Sequence, residues 1–389
     1  MPLQDGAGIM KVWQLLPASW NEVILFPFAQ LGGVWQELVA INLTGPRARM
    51  ATMLALSTCL STVAALALRL DYVWWAAISG YMCMQATTPS SFQRATLRVI
   101  GTIAGAILGF VVTPWLAYDH VAGSIFIFAI ATFGVLGYML SAHAFAWLFA
   151  AITTDLIVLA SLQDPTQAYR TAFYRAAEVI VGSIAALIVA YALAPETGPA
   201  AAPAPGWSQV WGRDWPKVLH ALRCGLTVML LPWVWGWLYL PSLPQMSVTV
   251  AIIMAAPAFS DDPLVSGRRV LMQSLQRVLG CFLGGVVGLA LVAFSITEFL
   301  PWLAMLAIGV WICGYVQTSK QGVGYVGTQA ALALIMTLVQ GWMPPGSILP
   351  GLERFGGMMA GLGILMIVSF LFWPAAPESQ PVSTGVTSA

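Results

Sequence analysis

Twelve apolar stretches, each near the length at which an α-helix crosses about 30 Å of hydrocarbon, take up most of this chain and constrain its fold more than any other feature. The first six run from Met50 to Leu68, Val73 to Thr88, Leu97 to Leu116, Val121 to Leu140, Ala144 to Leu162 and Thr171 to Ala194. The other six run from Val218 to Leu240, Met246 to Phe259, Leu275 to Phe294, Pro301 to Thr318, Val323 to Trp342 and Leu352 to Trp373. Charge is scarce: 8% of 389 residues are charged and 59% are apolar, too little charge to cover a soluble globule of this length. The solvent has to be a lipid bilayer.

Residues before Arg47 mix Trp13, Trp20, Phe26, Phe28 and Trp35 with polar side chains, which suits a segment lying at the interface. The N-terminus has no charged region followed by a long apolar run and a small-residue cleavage site, so no removable signal is expected. The expected domains are an interfacial segment over 1–46, a first six-helix repeat over 47–195, a cytoplasmic linker over 196–216, a second repeat over 217–374 and a cytoplasmic tail over 375–389. With the N-terminus in the cytoplasm, twelve of the sixteen basic residues fall on the inner side or its boundary, leaving Arg69, Arg170, Arg175 and Arg354 outside. Both termini are therefore expected in the cytoplasm.

A shift of 179 residues aligns RVIGTIAGAILG, starting at Arg98, with RVLGCFLGGVVG, starting at Arg277. The same shift pairs Arg175 with Arg354, Gly182 with Gly361 and Pro195 with Pro374. Six spans per half is an even number, so both halves enter the membrane in the same sense and relate by an axis along the membrane normal. The expected fold is an all-α polytopic membrane protein of about 12 transmembrane helices in two parallel six-helix repeats. A pathway between the halves follows from that symmetry. Gly101, Gly105 and Gly109, like Gly280, Gly284 and Gly288, recur every four residues and read as seams where helix backbones approach closely.

The segment WWAAISGYMCMQATTPSSFQRATLRVIGTIAGAILG resembles the hallmark of the fusaric acid resistance and aromatic acid exporter family, and the copy ending QRVLGCFLGGVVG is similar. The resemblance implies the inner-membrane component of an efflux system for aromatic carboxylates, often working beside a periplasmic adaptor protein. It also implies the cytoplasmic membrane of a Gram-negative bacterium. Many members carry sizeable cytoplasmic domains after each half, whereas here only the short linker and the tail are available.

Net charge of +1 offers no electrostatic surface for nucleic acid. Five scattered cysteines form no C-x-x-C pair, and three histidines, His120, His143 and His220, share no ligand spacing, so no metal site is expected. Neither a phosphate-binding loop nor G-x-S-x-G or H-E-x-x-H occurs, so the chain reads as a non-enzyme without a cofactor.

Transport candidates come from polar residues placed where they are costly. Asp155 lies near the middle of the fifth span, where an ionised carboxylate costs about 2.5–3.5 kcal/mol. Exchanging a proton is one use for it; hydrogen bonding to Thr153, Thr154 or a neighbouring helix is the other. Arg98 and Arg277 begin the two glycine helices at the cytoplasmic boundary and offer forked donors to a carboxylate, or anchor at lipid phosphates. Arg175 and Arg354, near the outer side, form either an anion exit funnel or pairs with Glu178 and Glu353. The second span of each half is short and ends at a proline, Pro89 or Pro257, which points to a transport site there. Around it Gln85, Thr87 and Thr88 supply polar groups, with Trp74, Trp75 and Tyr81 as stacking surfaces and Asp261 and Asp262 close by in the second half.

The leading expectation is a secondary transporter exporting small organic anions, driven by proton motive force or membrane potential. A passive organic-anion channel and a non-transporting scaffold of an envelope assembly are the alternatives. Its partners would be the anion, the lipid bilayer, an adaptor and further copies of the chain.

Overall fold

The computed structural model describes residues 19–371 apart from 117, 197–214, 241, 256–262, 295–297, 343 and 346. Among these residues every long regular element is an α-helix. Helix α1 (Ser19–Val39) precedes a first set, α2 (Pro46–Ala67), α3 (Val73–Cys83), α4 (Thr88–Leu116), α5 (His120–Leu140), α6 (Ala144–Gln163) and α7 (Ala168–Leu193). A second set follows as α8 (Trp215–Leu238), α9 (Leu243–Met254), α10 (Pro263–Ala293), α11 (Phe299–Gln317), α12 (Gly324–Leu338) and α13 (Leu349–Leu371). Nine of these helices are long and apolar enough to span a membrane. Every one of the twelve expected stretches is occupied by its own helix, and α3, α9 and α12 are the short ones.

Local chemistry sets the ends. Gly45, at φ +97°, leads into α2, whose first residue is Pro46, where a missing N–H costs nothing. Asp119 caps α5 by accepting from the backbone N–H groups of Val121 and Ala122. Helix α3 stops at Cys83, five residues short of the expected end at Thr88, because the Ser91 hydroxyl takes the Gln85 N–H and Gln85 turns its amide to the Met82 and Met84 carbonyls. The linker's centre, the tail, Pro257, Asp261 and Asp262 lie outside the described residues.

Equivalent helices meet equivalent neighbours. Helix α4 packs on α6 and α7, and α10 packs on α12 and α13; α3 packs on α7, and α9 on α13. Across the two sets α5 meets α8, while α11 meets α2. An indole joins each of these two seams, Trp233 to the Ser124 hydroxyl at 2.9 Å and Trp311 to the Thr52 hydroxyl at 3.0 Å. Two left-handed non-glycine residues, Arg69 after α2 and Tyr239 after α8, stand 170 positions apart. The offset is thus 170 for the first two helices of each set and 179 for Gly182 and Gly361, which press on Ala76 of α3 and Met246 of α9.

The glycine seams are where backbones touch. A Cβ at Gly101 or Gly105 would strike the carbonyls of Ala146 and Ala150 on α6, and one at Gly284 would strike that of Ala330 on α12. Helix α1 is tied to the bundle by polar contacts: Glu37 pairs with Arg47 at 2.5 Å and accepts from Ser319, while Gln30 meets Gln276. Leu25, Phe28, Trp35 and Val39 are exposed along it.

Candidate functional site

Helix α3 presents two adjacent indoles, Trp74 and Trp75, each 7% exposed, with ring centroids 6.2 Å apart. Arginines from the two helix sets converge on them. The Arg175 guanidinium of α7 lies 3.5 Å over the Trp75 ring, and that of Arg354, on α13, lies 3.7 Å over Trp74. Such cation–π contacts are worth about 2 kcal/mol when desolvated. Arg175 is 2% exposed, and none of its three guanidinium nitrogens has a hydrogen-bond partner within the protein. Arg354 donates to the Met336 carbonyl at 2.7 Å.

Arg98 enters the same cluster from α4. It donates to the Ser79 hydroxyl of α3 at 3.2 Å and its guanidinium covers the Phe149 ring at 4.0 Å, leaving one terminal nitrogen without a partner. Its second-half counterpart is anchored differently: Arg277 donates to the Gln329 carboxamide oxygen at 2.6 Å and to the Thr249 hydroxyl at 3.5 Å. The expectation that these arginines begin their helices is corrected here: both lie well inside them and are buried in the bundle, 1% and 4% exposed. Helix α4 starts at Thr88, ten residues before Arg98, or about 15 Å at 1.5 Å per residue. The extra turns precede the apolar run that starts at Leu97.

Glu178 is fully buried one turn beyond Arg175, yet the two form no ion pair within 4.0 Å, contrary to the pairing expected from their spacing. One carboxylate oxygen accepts the Tyr72 N–H at 2.8 Å and the other has no partner. The Arg175 guanidinium lies over the Trp75 ring instead. Arg354 likewise makes no ion pair with Glu353. Beside Tyr72 a surface depression of about 240 Å³ opens, lined by Asp71, Tyr72, Arg170, Gly341 and Trp342. Arg170 and Asp71 close an ion pair of 2.5 Å at its rim.

Asp155 is elsewhere. It is completely buried on α6, close to Cys224 of α8, and neither oxygen has a hydrogen-bond partner. The hydroxyl of Thr154 donates instead to the Gly105 carbonyl at 3.1 Å, and that of Thr153 is unpartnered, so the anticipated threonine bonds to Asp155 do not form. Tyr81, Gln85 and Thr88 gather at the opposite end of α3 from the indoles. Tyr81 donates to Gln317, Gln85 accepts from Arg94 at 3.3 Å, and Thr88 donates to the Ala190 carbonyl at 3.2 Å.

Sequence reasoning passed over Arg94, Phe145 and Phe149. Arg94 lies 4.4 Å over Phe145, one turn below Arg98 over Phe149. The signal was present as Arg–Arg and Phe–Phe pairs four apart, which place each pair on one helix face. Among the described residues no cluster of His, Cys, Asp or Glu can hold a metal ion.

Residues 58–189, from α2 to α7, match the family described as fusaric acid resistance protein-like. The match contains Trp74, Trp75, Arg98 and Arg175 and agrees with the resemblance read from the hallmark segment. No curated protein and no solved structure matches the chain.

Proposed function

With α2 to α7 being fusaric acid resistance protein-like, we propose that this multi-pass membrane protein is a secondary transporter that exports small organic anions, aromatic carboxylates above all. The observation that carries the reading is Arg175: a buried guanidinium with every donor unpartnered, lying on an indole face. An isolated buried charge costs several kcal/mol. A carboxylate fits the fork of donors and would offset that cost, and an aromatic ring finds Trp74, Trp75 and Phe149 around it.

Moving one negative charge out of a negative interior gains about 2.3 kcal/mol per 100 mV, so membrane potential alone can drive export. Asp155, buried and without a hydrogen-bond partner, is the group we assign to proton coupling. The matching neighbours of the two helix sets support two parallel repeats. We place both termini in the cytoplasm of a cell whose inner membrane holds the protein, beside an adaptor and further copies.

The test is flux. Purified full-length chain in liposomes should release loaded p-hydroxybenzoate when a voltage, outside positive in the sense of export, is imposed. Vesicles that hold the protein in its folded state and release no more than empty ones refute transport and leave the scaffold reading.

A further inference from the structure

Five arginines line up along α3, each stacked on an aromatic ring. From the Asp71 depression inward they are Arg170 on Tyr174 (6.0 Å), Arg354 on Trp74 (3.7 Å), Arg175 on Trp75 (3.5 Å), Arg98 on Phe149 (4.0 Å) and Arg94 on Phe145 (4.4 Å). Ser79, which Arg98 meets, is one turn or about 6 Å deeper along α3 than Trp75. Arg98 and Arg175 are near enough to repel, as are Arg94 and Arg98. Unpartnered donors mark the inner three: one on Arg94, one on Arg98 and three on Arg175.

A ring that covers a guanidinium face leaves the N–H edge for other partners: Arg175 presents its whole in-plane fork to an oxyanion and Arg98 and Arg94 one unpartnered N–H nitrogen each, while the ring fixes the orientation. The second set repeats this row only in part: Arg277 and Arg354 answer Arg98 and Arg175, but the ring pair and the Arg94 position are not repeated. Pro244 and Gln245 stand 170 residues after Trp74 and Trp75, Gln273 stands 179 after Arg94, and both terminal nitrogens of Arg277 are tied, to Gln329 and Thr249, with Nε alone unpartnered.

Resting on the anion-export reading, we propose that the carboxylate path runs inside the first six-helix set along α3, and not between the two sets, with Arg98 and Arg175 holding the carboxylate between them. Arg354 is the second set's contribution to the row. The two halves, alike in packing, are then unequal in function: the first carries the anion, and Arg277 with Gln329 serves to hold α10, α9 and α12 together.

The experiment compares lysine variants, which keep the charge but lose the fork and the stacking plane. Full-length wild type, Arg98→Lys, Arg175→Lys and Arg277→Lys are reconstituted, and voltage-driven benzoate efflux and benzoate affinity are both measured. Efflux and affinity should fall at least tenfold in Arg98→Lys and Arg175→Lys and stay within twofold of wild type in Arg277→Lys. Equal losses at Arg175 and Arg277, or unchanged values at Arg175, overturn the proposal. Phe149→Leu, which removes only the ring under Arg98, guards against a lysine variant that does not fold: a fivefold loss supports the path, and none refutes it. If wild type binds benzoate but moves none, export fails as a function, while the affinities still decide where the carboxylate sits.

Discussion

Replacing Gly284 by alanine should separate α10 from α12, and the contact geometry says by how much. A Cβ at Gly284 would lie 2.7 Å from both the Cα and the carbonyl carbon of Ala330, 0.7 Å short of the 3.4 Å at which ordinary contact begins, and nearer still to the carbonyl oxygen. All three atoms are backbone, so no side chain can swing aside. The helices must part by roughly 0.5–1 Å, which forfeits a quarter to a half of the attraction for each atom pair along the seam. Overpacking of this kind costs about 1–3 kcal/mol. Gly363 on α13 supplies the control, because nothing lies within 4 Å of its built Cβ. Alanine there should be neutral or stabilise the helix by up to about 1 kcal/mol. The assay is thermal unfolding of both variants in detergent, followed by tryptophan fluorescence, with chromatographic retention as a check on aggregation. A Gly284→Ala midpoint equal to that of wild type, or a Gly363→Ala loss of the same size, would refute the reasoning.

Three further outcomes follow from the structure. Burial pushes the Glu37 carboxyl up, but Ser319 and Arg47 outweigh it and hold the group below its usual value. Its contribution to docking α1 is therefore complete above the ordinary carboxylate range and is lost as pH falls through the lowered value; protease cleavage within 19–39 should rise in acid, and Glu37→Gln should abolish that dependence. Asp155→Asn should remove benzoate transport driven by a pH gradient while sparing the voltage-driven part, and a variant with full pH-driven flux assigns the proton elsewhere. Reporter fusions at Pro205 and after Ala375 should read cytoplasmic and one at Asp119 external; an external signal from Pro205 would overturn the arrangement of repeats.

What the sequence by itself determined is the helix inventory and a set of residue matches between the two halves. Apolar length is a one-dimensional property, and residue matches at an offset of 179 relate the later helices of each set, so α2 to α13 and the pairs Arg98 with Arg277 and Arg175 with Arg354 were legible without coordinates, whereas the offset of 170 for the first two helices was not. Fine boundaries were less so: α3 ends at Cys83 because Ser91 and Gln85 capture local backbone groups, which hydropathy does not register. The site was only half legible. Arg175 and Glu178, three apart on one helix, read as a pair, but the Trp75 ring from another helix competes for the guanidinium and wins. Only the tertiary structure decided that Arg354 crosses to Trp74, that Arg98 is buried, and that the arginines form one row along α3. The reason is physical: a span's length follows from its own residues, whereas the partner of a buried charge depends on which helix face arrives opposite, and that is a property of the packed bundle.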